Sequence, residues 1–152
     1  MLLLDKLNNR NIFYQKLDSG NSWQENLPRG NWLAFVITSE KSKPILAEIA
    51  DMLIDNNACY ISCSGQYGEL LHDIADEEIV VRKVYGAYSV PFDLIMTTWD
   101  ENVEEGFWSS ICAANNDPLI INTIVCLDGG ETESKNELTK LVQLFGTGYI
   151  PD

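Results

Sequence analysis

Trp32-Leu33-Ala34-Phe35-Val36-Ile37-Thr38 places six apolar residues in unbroken succession before a polar one, and its reading decides the fold. The turn signal Leu27-Pro28-Arg29-Gly30-Asn31 precedes it. So short an apolar run, bounded in this way, reads as a strand buried on both faces, the kind found in parallel sheets. Three more runs repeat the pattern. Ala58 to Cys63 ends on Ser64-Gly65, Phe92 to Met96 leads into Thr97-Thr98-Trp99-Asp100, and Leu119 to Leu127 stops at Asp128-Gly129-Gly130.

Segments of helical period lie between the runs. Ser42-Lys43-Pro44 suits a helix start with Ser42 as N-cap, and Ile45, Leu46, Ile49, Met52 and Leu53 then recur at three and four residues as far as Asn56-Asn57. Leu70, Leu71 and Ile74 mark a second helix after Ser64-Gly65. Phe107, Trp108, Ile111 and Cys112 mark a third, whose first-turn carboxylates suit the positive end of its dipole. A fourth runs from Ser134 to Phe145 and is ended by Gly146 and Gly148. Strand and helix alternating in this way predict an α/β fold: a three-layer α/β/α sandwich with a mainly parallel sheet of four to five strands and about four helices. The plan is Rossmann-like or flavodoxin-like, an analogy of fold that carries little about function.

A chain of 152 residues is read as one domain, with a weakly patterned segment, 1–31, packing over one edge of a core spanning 32–152. Ile12-Phe13-Tyr14 reads either as a short strand or as a helical turn. Residues 79–89 read two ways as well. Ile79-Val80-Val81 and Val84-Tyr85 are β-branched or aromatic and favour a short strand or extended connection over a longer second helix, because Gly86 and Pro91 follow. Met1 to Leu4 is too short an apolar stretch for a signal peptide or a span, so a soluble cytoplasmic protein is expected.

The net charge of −13 is unevenly placed: residues 1–43 carry six Lys or Arg against four Asp or Glu, which leaves −15 for residues 44–152. Such a body repels nucleic-acid phosphate and anionic membrane, and it would speed encounter with a basic protein. The four cysteines, Cys59, Cys63, Cys112 and Cys126, form no CxxC pair and have no spaced histidine partners, so they read as core thiols rather than zinc ligands.

Three constellations remain at the strand ends. Cys63-Ser64-Gly65-Gln66-Tyr67-Gly68 sets a thiol at a strand-to-helix turn, where backbone N–H groups bind anions and lower thiol pKa. Glu69, however, stands where a phosphatase loop needs arginine, and no Walker or dinucleotide glycine pattern follows. His72 and Asp76 share a helix face if the helix persists, as a pair or half a metal site, or simply as a solvated helix end. Asp100 and Asp128 would stand at adjacent strand ends if the third and fourth strands are neighbours, and could then hold Mg²⁺. The competing roles, an N-cap at Asp100 and a turn at Asp128, are the ones taken. No metal and no cofactor is therefore expected. Trp99, just beyond a strand, is either core margin or a flat anchor for a partner.

The stretch Phe92 to Ala113, with Met96-Thr97-Thr98-Trp99-Asp100 and Phe107-Trp108, is similar to small bacterial proteins of an uncharacterised domain family, and the resemblance extends to His72-Asp73 through Glu77. It implies no activity. A response-regulator receiver is a poor match, since Thr38-Ser39-Glu40 replaces its acidic pair. The expected function is a non-catalytic protein-binding module, an immunity- or antitoxin-like inhibitor in its most concrete form. It docks a basic partner along an edge made by Ser39, Cys63, Ser64, Thr98, Trp99, Asp100 and Asp128, with His72 and Asp76 as a secondary site. The alternative is a small-molecule or nucleotide-binding domain, or an enzyme, using the crevice at the strand ends.

Overall fold

The computed structural model describes residues 1–17, 23–85 and 95–152. In chain order its elements are β1 (Leu2–Leu7), β2 (Arg10–Lys16), a 3-10 turn (Trp23–Asn26), β3 (Trp32–Thr38), α1 (Lys43–Asp55), β4 (Ala58–Ser64), α2 (Gly68–Tyr85), β5 (Met96–Asp100), α3 (Val103–Cys112), β6 (Thr123–Gly129) and α4 (Lys135–Gly146). Six strands form one sheet in the order β1-β2-β6-β3-β4-β5. All neighbouring pairs are parallel except the antiparallel β1-β2 pair. The α/β class and the mainly parallel sheet are as the sequence predicts, whereas the count of four to five strands was too low. Residues 1–17 supply both extra strands, which extend the sheet beyond β6.

The strand β3 is buried along its whole length and sorts its side chains by period two. Trp32, Ala34 and Val36 meet Leu46, Ala50 and Leu53 of α1 and Leu71 and Ala75 of α2 on one face. Leu33, Phe35 and Ile37 meet Phe107 and Ile111 of α3 and Leu138, Val142 and Phe145 of α4 on the other. The Phe35 and Phe107 rings stack with centroids 5.1 Å apart. The chain steps outward from β3 to β4 to β5, then returns across the sheet to place β6 on the opposite side of β3. A doubly wound sheet opens a crevice at that reversal, between the C-terminal ends of β3 and β6.

Two local devices set this framework. In β4 the register shifts by one residue: Trp32 pairs with Ala58 but Leu33 pairs with Tyr60, so Cys59 is the extra residue of a bulge. Cys59 and Tyr60 therefore both face α3 and α4, while Ile61 and Cys63 face α1 and α2. The two thiols lie on opposite faces of the sheet and form no pair. The β1-β2 hairpin turns on Asn8 and Asn9, both in the left-handed region (φ 54 and 59°), and its tip closes the end of α3. Asn8 Nδ2 donates to Ile111 O at 2.9 Å, and the buried Arg10 donates to the carbonyls of Ser110 and Ala114. A cation satisfying last-turn carbonyls suits the negative helix end.

Residues 79–85 continue α2, which corrects the strand expected there; Gly86 to Ser89 lie outside the described residues. Ile79 and Arg82 complete a stripe with Leu71 and Ala75, and that burial outweighs the β-propensity of the intervening valines. Arg82 reaches Glu78 at 2.9 Å, Asp55 at 2.7 Å and Asp51 at 3.1 Å, locking α2 to α1 through a side chain only 3% exposed. The third and fourth predicted strands also move. β5 starts at Met96 and includes Asp100, with 92–94 outside the described residues, and β6 starts at Thr123 rather than Leu119. At α1, Ser42 occupies the N-cap but its side chain makes no capping bond; Glu40 Oε1 instead accepts from Ser42 N at 2.8 Å. No helix among the described residues is long and apolar enough to cross a membrane.

Candidate functional site

Pairing between strands puts four residues in one row at the C-terminal edge of the sheet. Asp128 pairs with Ile37, Ile37 with Ser64, and Ser64 with Asp100. The polar endings do gather along one edge, but β3 and β4 stand between β6 and β5. Three strand spacings of about 4.8 Å separate Asp100 from Asp128 by roughly 14 Å. The expectation that they are neighbours is thus corrected, and they cannot share a cation. No group of three or more His, Cys, Asp or Glu suited to a metal occurs among the described residues.

Asp128 is 1% exposed and works as the keystone of the loop that follows it. Its Oδ2 accepts from Tyr14 Oη and from Ser134 N, each at 2.7 Å, and its Oδ1 accepts from Gly130 N at 3.1 Å. The carboxylate folds the chain from Asp128 to the start of α4, which is the turn role in a stronger form. Burial, followed by the bond to Asp128, pushes the Tyr14 phenol well above its usual range.

Ser64, Asp100 and Gly106 meet beneath the first turn of α3. The Ser64 Oγ is fully buried and has no hydrogen-bond partner among the described residues. A Cβ built on Gly106 would lie 2.2 Å from that oxygen and 3.3 Å from Asp100 Cβ. Asp100 does not cap α3; Asn102 does, accepting from Glu105 N at 3.0 Å. The reason is that β5 continues through Asp100, so the helix starts later than the sequence reading placed it. Burial first, and the charge of Glu105 second, raise the Asp100 carboxyl above the ordinary range.

A carboxyl raised in the folded state stabilises the fold below its unfolded pKa of about 3.9, and that contribution is lost as pH rises through the folded value. Asp100→Asn is accordingly expected to raise thermal stability at pH 7 by about 0.5 kcal/mol, a solvent-screened magnitude for a part-exposed group. The gain should vanish near pH 3. Melting curves of the two proteins at both pH values measure it, and a loss of stability at pH 7 would contradict the assigned cause.

The Cys63 thiol is fully buried in β4, and its pKa is pushed up by that burial and then by the negative charges of Asp76 and Asp73. It faces core rather than the turn, so the anion-binding arrangement read from Cys63-Ser64-Gly65 does not form. Burial raises the pKa of Cys59 and Cys126 too, and partial burial that of Cys112, which is exposed at the end of α3 and so corrects its reading as a core thiol. His72 and Asp76 are brought together on α2: Nε2 lies 3.4 Å from Asp76 Oδ2, and Nδ1 lies 3.0 Å from Asp73 Oδ1. Thr97 donates its hydroxyl to Asp76, tying this pair to β5. Trp99 is 42% exposed on β5, the last strand on its side of the sheet, opposite Cys63 and next to half-buried Thr98. Ser39 donates Oγ to Gly129 O at 3.1 Å and so stitches β3 to β6 across the crevice.

The concave surface lies at the strand ends, but beside β3 and β6 rather than along the residues named from the sequence. A groove of about 430 Å³ opens at the β3-β6 reversal, floored by Thr38 and Gly129. One wall is the α1 stripe Ile45, Glu48, Ile49 and Met52; Leu17, Trp23 and Gln24 form the other, and Glu40 closes one end. A second, polar crevice of about 460 Å³ shares Glu40 and Gly129 and adds Ser39, Lys41, Gln66, Tyr67 and Glu131. Of the proposed edge only Ser39 lines either one. The signal that would have found the groove is Glu48, a carboxylate inside an otherwise apolar i, i+3, i+4, i+7 stripe.

The family described as a domain of unknown function, DUF7684, matches residues 12–144. The chain belongs to that family. The match runs from β2 through α4, and so takes in the whole strand-end crevice. No curated protein and no solved structure matches the chain at a significant level.

Proposed function

We propose that this member of DUF7684 is a non-catalytic binding module that docks a basic protein, an immunity- or antitoxin-like inhibitor being the most concrete form of the reading. The observation that carries it is the character of the strand-end crevice. Its walls present Glu40, Glu48 and Glu131 against one cation, Lys41, on a body whose residues 44–152 carry −15. Opposite charge steers encounter, and the exposed Trp99 on β5, two strands from β3, offers an apolar contact of the kind that interfaces favour. The groups that would have to act chemically have other work: Asp128 holds a loop, Cys63 is buried with its thiol pKa raised, and His72 lies between two aspartates.

Affinity capture from native lysate at low and at raised salt tests the proposal. A stoichiometric basic partner, released by salt and weakened by Trp99→Ala, is expected. No such partner, or capture indifferent to salt, sinks the idea. The groove, of a volume usual for ligand sites, favours a second reading, a small-molecule site at the doubly wound reversal. Its acidic lining disfavours nucleotides, because phosphate would meet carboxylates there. A rise in melting temperature with nucleotides and divalent ions would reverse that preference.

A further inference from the structure

Resting on the basic-partner reading, we infer that the groove between α1 and Trp23 is the socket for one arginine or lysine side chain of that partner. Two carboxylates point the charge. Glu48 is exposed on α1 and has no hydrogen-bond or ion-pair partner among the described residues. Glu40 is held in place by accepting from Ser42 N with one oxygen, and its own N–H is fixed by Thr38 Oγ1 at 2.9 Å, which leaves its second carboxylate oxygen without a partner among the described residues. Among the described residues no Lys or Arg lines this groove, Lys41 standing in the neighbouring crevice. Between them lie Trp23, Ile49 and Met52, an apolar surface suited to the methylene stem of a long basic side chain. An indole wall adds attraction for a cation, and a guanidinium pairs with carboxylates through a planar fork. An anionic ligand is refused by sign, and a purely apolar one would leave both carboxylates desolvated and unpaired.

The test is titration of the isotope-labelled full chain at low salt with an arginine hexapeptide and, separately, a glutamate hexapeptide, followed by amide and indole NMR shifts. Saturable shifts centred on Trp23, Gln24 and Thr38 are expected with the arginine peptide alone. Glu48→Gln and Glu40→Gln should each weaken that binding about tenfold, the scale of one lost charged contact. Glu131→Gln, which removes the same charge from the neighbouring crevice, should weaken it less than about twofold. Equal weakening by all three, or shifts spread over the acidic surface, overturns the socket while leaving the basic-partner reading standing. Arginine peptide that causes no shift overturns the socket too, and salt-released capture by the same protein then decides the wider reading separately. Glu48 is exposed, so its replacement leaves the fold intact, and circular dichroism of each variant checks this.

Discussion

Asp128→Ala is expected to destabilise the protein by about 3 kcal/mol, because it strands three donors around a buried position. The orphaned groups are Tyr14 Oη, Ser134 N and Gly130 N. Asp128→Asn keeps the shape but offers one acceptor oxygen, which can serve Tyr14 and Ser134 while its amide faces the Gly130 N–H. About half the loss, some 1.5 kcal/mol, should follow. Tyr14→Phe removes one partner and should cost about 1 kcal/mol. Denaturant unfolding of the three variants measures the series. Were Asp128 a catalytic or metal-binding group, the asparagine variant would instead keep its stability and lose only a function.

Gly106→Ala should destabilise by about 2 kcal/mol, although alanine at an ordinary helical position gains roughly 1 kcal/mol over glycine. The new methyl would sit 2.2 Å from a buried hydroxyl. Ser64→Ala alone should be neutral or stabilising by up to about 1 kcal/mol, since it deletes a buried polar atom that has no partner among the described residues. Combined, the two substitutions should restore at least wild-type stability: Ser64→Ala removes the oxygen that the methyl of Gly106→Ala would meet, and helix propensity is gained. A double-mutant cycle with coupling of about 2 kcal/mol is the expected result. If the double variant is as unstable as Gly106→Ala, the contact with Ser64 is not what fixes the glycine.

How much of this was legible in the sequence varied with how local the cause was. Trp32–Thr38 and Ala58–Ser64 could be read almost residue for residue, because full burial on both faces writes an unbroken apolar run. The β1-β2 hairpin could not. Its turn is Asn8-Asn9 rather than a glycine pair, and one of its buried positions is Arg10, whose reason for burial lies a hundred residues away at α3. The tail of α2 failed likewise, since three acidic partners of Arg82, two of them on α1, outweigh a local β preference. The pairing of Asp100 with Asp128 rested on taking chain order for spatial order. Placement of β6 beside β3 reverses that order, and the same reversal opens the groove. Its walls belong to segments that only the folded sheet brings together.

The single extra residue at Cys59 acts as a phase shifter. It sets the seven residues Ala58–Ser64 against the six residues Trp32–Ile37 of β3, so every side chain downstream exchanges the face it would otherwise occupy. Ser62 and Ser64 thereby turn toward α3 and Cys63 toward α2. Change in this strand is consequently quantised: a substitution alters one contact, whereas losing or gaining one residue would swap hydroxyl for thiol along the whole polar end of the strand.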